Sequence, residues 1–281
     1  MTGHAKKIFV WTFLFVLLSG AALMSYQQEE NIYLDSLAVV TCNVEGLESS
    51  GRVKDITSMV NRAGAPDVVL LQGVMGNAEA SFLAEKLGFP HYCYTSSRSC
   101  DKGLAILSNR DILNTASHFF MESKAGNGAL SGDLDINGQR LKVVNLQLDR
   151  MGDGPGNGKL ALTDFVGMLG AELFSDTPRS RSIEEVLAWV GAQGAPQVIV
   201  GGDFSSIPLS RAVRAMNEDF KDSMWPSFEY FKGTSRENGS PINLRTDYLF
   251  HSSNMTCAEA SVIAQPYGHH HPVRAVFEIN L

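Results

Sequence analysis

Basic residues and cysteines are both scarce in this sequence. Its 281 residues include 23 Lys and Arg against 30 Asp and Glu, which gives a formal net charge of -7. A protein held to nucleic acid by electrostatics alone needs a basic surface, so this balance argues against that function class, although it does not exclude a local basic patch. The chain also has no internal repeat and no long low-complexity linker after Asp35, so we expect a single α/β domain.

The four cysteines leave several disulfide arrangements open. Cys93 and Cys100 flank a short polar loop that a disulfide between them would close, and an exported protein would permit that oxidation. Cys42 and Cys257 lie in strand-like segments, where we expect buried free thiols. Four cysteines allow three full pairings, and the sequence alone does not choose among them.

One long apolar run lies near the N-terminus. Lys6 and Lys7 precede an uncharged, mostly apolar segment from Ile8 to about Ser25, and polar residues follow it. This pattern predicts that residues 1–30 form a hydrophobic helix, either a cleaved export signal or an uncleaved membrane anchor. The two lysines place the N-terminus in the cytoplasm, so the expected location of the domain is extracytoplasmic: secreted, periplasmic or anchored to the membrane.

Strands and helices alternate through the rest of the chain. The segment 68–71 is a continuous apolar run typical of a strand buried on both faces. Asn137-Gly138 separates two alternating segments, which predicts a β-hairpin and therefore a partly antiparallel sheet. Ser182 and Glu185 form a capping-box pattern that predicts a helix start. Another predicted helix follows the hairpin, with an apolar stripe formed by Leu162, Phe165, Val166, Leu169 and Leu173.

Polar residues gather at the ends of the predicted strands. Each of them alone has an ordinary explanation as a turn residue, a helix cap or part of a solvated loop. In open α/β folds, however, ligands bind at the carboxyl ends of strands, so together these residues predict a functional site. The candidates are Asn43, Glu45, Gln72, Gln147, Asp203, Ser205, Asp247, His269, His270 and His271.

The order of these segments resembles the endonuclease/exonuclease/phosphatase superfamily, which has the fold of pancreatic deoxyribonuclease. The segments are TCNVEG, PDVVLLQGV, GLAILSN, VVNLQL, VIVGGDFSSIP, RTDYLF and GHHHPV. The resemblance implies a four-layer α/β sandwich over residues 36–281, with two mixed β-sheets packed face to face and helices outside. It also implies divalent-metal-dependent hydrolysis of a phosphodiester or phosphomonoester.

The same resemblance implies roles for individual residues. Asp203 matches the family's aspartate that orients or activates the nucleophile. Asp247 and His270 match a carboxylate–histidine pair, in which the carboxylate fixes the imidazole tautomer. Apart from the resemblance, Arg245 lies two residues before Asp247, and arginine suits bidentate contact with a phosphate. The expected substrate contacts are therefore Ser205, in place of a family Asn, Gln147, in place of a family His, and Arg245.

Two carboxylates that the family places near the metal are missing. Gly73, after Gln72, stands in place of a Glu, and His269 stands in place of an Asp. The remaining candidate metal ligands are Asn43, Glu45 and His269. Mg²⁺ relies on carboxylate charge, whereas His suits transition metals. We therefore expect either a weakly held divalent metal, which is Mg²⁺ or Mn²⁺ in the family or Zn²⁺ here, or no metal at all.

Three hypotheses follow from these residues. In the first, metal-dependent hydrolysis is weak or lost and the exported domain binds a phosphorylated small molecule, a lipid headgroup or a protein. In the second, the domain is an active metal-dependent phosphodiesterase or phosphatase with a rebuilt site, since Asp203, Asp247 and His270 are present. In the third, it is a structural envelope domain. Nucleic acid is not a favoured partner, and residues 1–30 would provide membrane contact.

Overall fold

Strands account for most of the regular structure. The computed structural model describes residues 35–47, 50–151, 162–227, 229–235 and 243–279. The strands are β1 (Asp35–Asn43), β2 (Val68–Met75), β3 (His91–Ser96), β4 (Lys102–Ser108), β5 (Ile112–Phe119), β6 (Gly128–Ile136), β7 (Gln139–Gln147), β8 (Gln197–Asp203), β9 (Phe220–Asp222), β10 (Asp247–Ser252), β11 (Thr256–Val262) and β12 (Val273–Ile279). The helices are α1 (Arg52–Arg62), α2 (Asn77–Leu87), α3 (Leu162–Phe174), α4 (Pro178–Ala192) and α5 (Arg211–Asp219).

Two six-stranded sheets share one pattern of strand pairing. Their orders are β11-β12-β1-β2-β4-β3 and β5-β6-β7-β8-β10-β9. In each sheet the third and fourth strands run parallel, and every other neighbouring pair is antiparallel. The parallel pairs end together, with Asn43 beside Gln72 and Gln147 beside Asp203. Four of the predicted polar residues, Asn43, Gln72, Gln147 and Asp203, therefore lie at the carboxyl ends of parallel strands, where α/β folds bind ligands. Asp247, at the start of antiparallel β10, lies beside Asp203.

Three apolar clusters hold the sheets and helices together. One lies between the sheets and contains Leu70 from β2 and Ile199 from β8. A second contains Ile56 of α1 and Leu83 of α2 on the outer side of the first sheet, and a third contains Ile183 of α4 on the outer side of the second sheet. Strand β2 is thus covered on both faces, which explains its continuous apolar run. The predicted α/β sandwich of two mixed sheets with helices is confirmed.

The structure confirms the predicted hairpin and the helix after it, but not the burial of the helix's apolar stripe. Asn137 and Gly138 connect β6 to β7 with positive φ angles of 51° and 86°, so the predicted hairpin is confirmed. The helix after it is confirmed as α3, but its apolar stripe is not fully buried, because Val166 is 60% exposed. Among the described side chains of α3, the buried one is the polar Glu172, which accepts hydrogen bonds from Arg179 and from the Ser206 hydroxyl. Glu172 therefore anchors the C-terminal part of this helix through polar contacts.

The predicted start of α4 is wrong. The Ser182–Glu185 pattern does not cap the helix, which begins earlier, at Pro178. Thr177 has an extended backbone and its side chain accepts the N–H of Ser180, while the Ser180 hydroxyl accepts the N–H of Thr177. Proline is well suited to the first helical position because its missing N–H would have no partner there.

The four cysteines are free thiols. Cys93 lies in β3, which extends into the segment predicted as a loop, and it packs partly against the core between the sheets. Cys100 is exposed, so the two side chains lie in different surroundings and the proposed disulfide is not formed. Burial raises the pKa of Cys93 to about 12. Cys42 is buried as expected, whereas Cys257 is only half-buried.

The predicted N-terminal helix of residues 1–30 lies outside the described residues. Within the ranges that are described, no helix is long and apolar enough to cross a membrane. The domain was predicted to begin at residue 36, and the first described strand begins at Asp35.

Candidate functional site

A hydrogen bond between two buried strand ends joins the sheets. Asn43 ends β1 and Asp203 ends β8, and Asn43 Nδ2 donates to Asp203 Oδ2 over 2.8 Å. The other carboxylate oxygen accepts the backbone N–H of Ser205 at 2.8 Å and its hydroxyl at 3.1 Å. Burial raises the pKa of Asp203, and the positive charge of His270 opposes that rise. These hydrogen bonds fix the orientation of the carboxylate.

His270 and Asp247 form a second buried pair. The His270 Nδ1 atom lies 2.9 Å from Asp247 Oδ2, which also accepts the hydroxyls of Thr234 at 2.6 Å and Thr246 at 3.0 Å. Because Nδ1 faces this carboxylate, Nε2 is the ring nitrogen turned toward Asp203, 3.9 Å from its Oδ2. Asp203, Asp247 and His270 have ligand atoms within 4.8 Å of one another. The structure therefore brings the three predicted catalytic residues together.

The Glu45 side chain fills the space beside Gly73. Gly73 lies in a bulge of β2 with a φ of +74°, and a β-carbon there would lie 2.6 Å from Glu45 Cγ. Glu45 Oε1 accepts a hydrogen bond from Lys102 Nζ at 2.6 Å, and Oε2 accepts one from an Arg150 guanidinium nitrogen at 2.7 Å. Burial raises the pKa of Glu45, but the hydrogen bonds and charges of the two cations lower it by more, so the net shift is downward. Its carboxylate is therefore ionised and neutralised by both partners.

Arg52 holds the ends of β1 and β2 together beneath Glu45. Its guanidinium donates to the Val44 carbonyl at 2.7 Å and to the Gly73 carbonyl at 2.6 Å. It also forms an ion pair with Glu79 at 2.7 Å, which balances its charge in a buried position. The sequence reasoning missed this residue. The available signal was an arginine at the first position of an amphipathic helix that directly follows a strand.

Gln72 and Asn145 form another polar bridge between the sheets. Gln72 Nε2 donates to Asn145 Oδ1 at 2.7 Å and to the Thr41 hydroxyl at 3.0 Å. The Asn145 amide donates to the carbonyls of Leu71 at 2.8 Å and Ala105 at 2.9 Å. The Gln72 Oε1 atom is buried and has no partner among the described residues. Asn145 was also missed, although a lone Asn inside the apolar segment VVNLQL is a usable signal.

The expectation that Arg245 contacts a substrate is wrong. Its side chain is fully buried and donates to the two carboxylate oxygens of Asp222 at 2.9 and 2.7 Å. The guanidinium also lies over the rings of Tyr230 and Tyr248. A buried guanidinium needs a carboxylate partner, and this one is already paired away from solvent.

Other predicted residues lie around the rim of the site. The half-buried His269 ring packs on Gly46, where any β-carbon would clash with it. Gln147 lines a pocket with a volume of about 170 Å³, together with Glu45, Lys102 and Arg150. The two cations were missed because each lies far from Glu45 in sequence.

The residues around Gly73 do not fit a divalent cation. The Glu45 carboxylate is bound by two cations, and the Asn43 amide oxygen accepts the Glu45 N–H at 2.8 Å. Among the described residues, one group of three ligand-type side chains is close enough to hold a metal, and it contains Asp203, Asp247 and His270 but not His269. The carboxylates of that group already accept the hydrogen bonds described above, which leaves few oxygens for a metal.

Comparisons with known structures agree with this fold. The chain's fold matches that of humanized TDP2 from D. rerio with a TM-score of 0.62 and 17% identity over 86% of this chain and 98% of that chain. It matches the human Nocturnin catalytic domain with bound sulfate anion with a TM-score of 0.64 and 16% identity, over 89% and 98% of the two chains. It matches a mannosyl-6-phosphatase from Bacteroides thetaiotaomicron with a TM-score of 0.65 and 18% identity, over 86% and 99% of the two chains.

Sequence comparison identifies the family directly. No curated protein matches the chain by sequence. The profile of the Endonuclease/Exonuclease/phosphatase family, however, matches residues 40–266, a range that includes most of the strands together with Asn43, Asp203 and Asp247 and ends before His270. The chain therefore belongs to the Endonuclease/Exonuclease/phosphatase family.

Proposed function

We propose that this family member binds a phosphate-bearing ligand at the strand ends and that its Mg²⁺-dependent hydrolysis is weak or absent. The family is typically dependent on a divalent metal. The observation that carries the proposal is the ion pairing of Glu45, which fills the space beside Gly73 but is neutralised by Lys102 and Arg150. Mg²⁺ relies on carboxylate charge, and here it would have to displace two cations to reach it.

Phosphate binding is supported by the charges around the pocket. Lys102 and Arg150 line it, and Gln147 contributes an amide. Two structural relatives support the same ligand class, since one is a mannosyl-6-phosphatase and another holds a bound sulfate anion. We propose a phosphorylated small molecule as the ligand. The apolar run within residues 1–30 supports export, with the domain outside the cytoplasm and membrane contact through that run.

A divalent-metal panel tests this function. The protein is stripped with EDTA and titrated with Mg²⁺, Mn²⁺ and Zn²⁺ by calorimetry, and hydrolysis of bis(p-nitrophenyl) phosphate and p-nitrophenyl phosphate is measured with each metal. We expect weak or no Mg²⁺ binding and no Mg²⁺-dependent hydrolysis above that of the His270→Ala variant. Robust turnover with Mg²⁺ that disappears in His270→Ala would refute the proposal.

A second candidate is an active phosphoesterase with a rebuilt metal site. It is favoured by the position of His270 Nε2, 3.9 Å from Asp203, with Nδ1 fixed by Asp247. In this arrangement Asp203 would orient an attacking water and His270 would stabilise charge on the phosphate oxygens. The candidate predicts that Mn²⁺ or Zn²⁺ copurifies and supports turnover. It fails if no metal copurifies and none of the three restores activity.

A further inference from the structure

Two cations from different sheets meet on the single carboxylate of Glu45. Lys102 begins β4 in the first sheet, and Arg150 follows the end of β7 in the second sheet. Each cation bonds a different oxygen of Glu45, at 2.6 and 2.7 Å. Glu45 is itself fixed, because its N–H donates to Asn43 and its Cγ lies against Gly73. The carboxylate therefore sets the spacing of the two cationic groups.

The charges of this cluster match those of a metal centre. Lys102 and Arg150 supply two positive charges against the one negative charge of Glu45. A divalent cation would likewise bring two positive charges to that carboxylate. The cluster also lies beside Gly73, where the family's metal-binding carboxylate is missing. Two side-chain cations thus provide, at this edge of the site, the positive charge that a metal would otherwise bring.

The positive groups face solvent, whereas the carboxylate is shielded. The Lys102 and Arg150 side chains are 47% and 54% exposed, but Glu45 is only 14% exposed. An anion that enters the pocket therefore meets the cations before it meets Glu45. Arginine suits bidentate contact with phosphate oxygens, and lysine adds a compact charge.

We propose that Lys102 and Arg150 form a metal-independent binding site for a phosphate monoester, an inference that rests on the phosphate-binding function proposed above. A phosphate monoester carries about −1.5 to −2 charges at neutral pH, so it gains more from two adjacent cations than a singly charged diester does. Glu45 acts as a positioning residue that orders both cations in the absence of ligand.

Phosphate titrations in EDTA test this site. Calorimetry compares inorganic phosphate and glucose 6-phosphate as probes, with the wild type, Lys102→Met and Arg150→Met. Each variant loses a charge-assisted hydrogen bond, so we expect about tenfold or more weaker binding for each and no measurable binding for the double variant. Arg62→Met is the matched control: it removes an exposed arginine at the end of α1 and leaves the affinity unchanged.

The Glu45→Gln variant separates the two roles that Glu45 can have. Glutamine keeps the shape and one acceptor oxygen, so it still accepts a hydrogen bond from one of the two cations, and it removes a negative charge close to the bound phosphate. We expect phosphate affinity in EDTA to rise about threefold or more, from the Coulomb energy of charges about 6 Å apart in water. If Glu45 were instead a metal ligand, Glu45→Gln would leave binding in EDTA unchanged and abolish metal-dependent binding, which would overturn the proposal.

Conservative variants distinguish lost charge from lost folding. Lys102→Arg and Arg150→Lys keep both charges and are expected to bind within a few-fold of the wild type, and thermal melts check that the Met variants are folded.

Cosedimentation with phosphatidylcholine vesicles that contain phosphatidic acid then identifies whether a lipid headgroup or a soluble phosphate is preferred. Binding of glucose 6-phosphate supports the proposed phosphate site. Stronger binding to the vesicles that contain phosphatidic acid than to vesicles of phosphatidylcholine alone also supports it.

Two results would overturn the inference in different ways. Binding that requires a divalent metal would overturn it. So would binding that persists in EDTA and in both Met variants but is lost in His270→Ala, although the phosphate-binding function would then stand. If the wild type binds neither probe under any condition, both proposals fail.

Discussion

The contact between Glu45 and Gly73 makes a quantitative prediction about stability. Gly73 has a φ of +74°, which costs an L-amino acid about 1–2 kcal/mol. A β-carbon would also lie 2.6 Å from Glu45 Cγ, and overpacking of this kind costs about 1–3 kcal/mol. We therefore expect Gly73→Ala to lower the free energy of unfolding by about 2–5 kcal/mol.

A double-mutant cycle separates the two contributions. Glu45→Ala empties the space next to Gly73 and removes two ion pairs with half-exposed cations, each worth about 0–1 kcal/mol. In the double variant the clash with Glu45 Cγ disappears, whereas the φ cost and the close contacts of the β-carbon with Glu45 N and Asn43 Oδ1 remain, so the coupling energy should be about 1–3 kcal/mol. Gly64→Ala is the matched control, because Gly64 has a φ of +78° and a β-carbon there would meet no atom of the described residues within 4 Å.

Urea denaturation followed by circular dichroism measures all of these proteins. We expect Gly64→Ala to cost only about 1–2 kcal/mol. If Gly73→Ala costs no more than Gly64→Ala, and Glu45→Ala does not change that cost, then Glu45 does not fill the space beside Gly73. If Mg²⁺-dependent hydrolysis is weak as proposed, the same geometry predicts that Gly73→Glu raises it only together with Glu45→Ala, because the Glu45 side chain fills the space beside position 73.

Three further predictions concern other buried groups. Arg245→Lys keeps the charge but loses one of two bonds to Asp222, so urea melts should show a loss of about 1–3 kcal/mol while phosphate affinity stays unchanged. Asp203→Asn places an amide group against the Asn43 amide and should destabilise the protein. Adding Asn43→Asp restores a donor–acceptor pair, so it should recover part of the lost stability, and urea melts that show no recovery would contradict this expectation. Ellman's reagent at pH 8 should react rapidly with the exposed Cys100, slowly with the half-buried Cys93 and Cys257, whose thiol pKa values are raised by burial, and with the buried Cys42 only after unfolding. Rapid reaction of more than one thiol in the native protein would contradict this order.

The strands and their polar ends could be predicted because their signals are local. A continuous apolar run marks β2, and Asn137-Gly138 marks a hairpin. The state of Glu45 could not be predicted in this way. From sequence it looks like a metal ligand two residues after Asn43, but its cation partners are 57 and 105 residues away. Only the folded sheets bring those charges to one carboxylate.

Two predictions from local sequence were wrong for different reasons. Ser182 and Glu185 have the spacing of a capping box, but Thr177 and Pro178 provide an earlier helix start with its own hydrogen bonds. Arg245 is close to Asp247 in sequence, yet sequence proximity does not set the direction of a side chain. Its guanidinium turns instead to Asp222, 23 residues earlier.

The buried hydrogen bonds between the sheets bear on how such a domain can change its activity. Asn43 with Asp203, and Gln72 with Asn145, lock one sheet against the other, so replacing any of them would leave buried polar groups unpaired at a cost of about 1–3 kcal/mol. A metal-binding side chain at position 73 carries no such structural duty. Asn43, Gln72, Asn145 and Asp203 are therefore needed for folding whether or not the domain catalyses a reaction. Their presence is evidence for the fold, and it is not by itself evidence for catalysis.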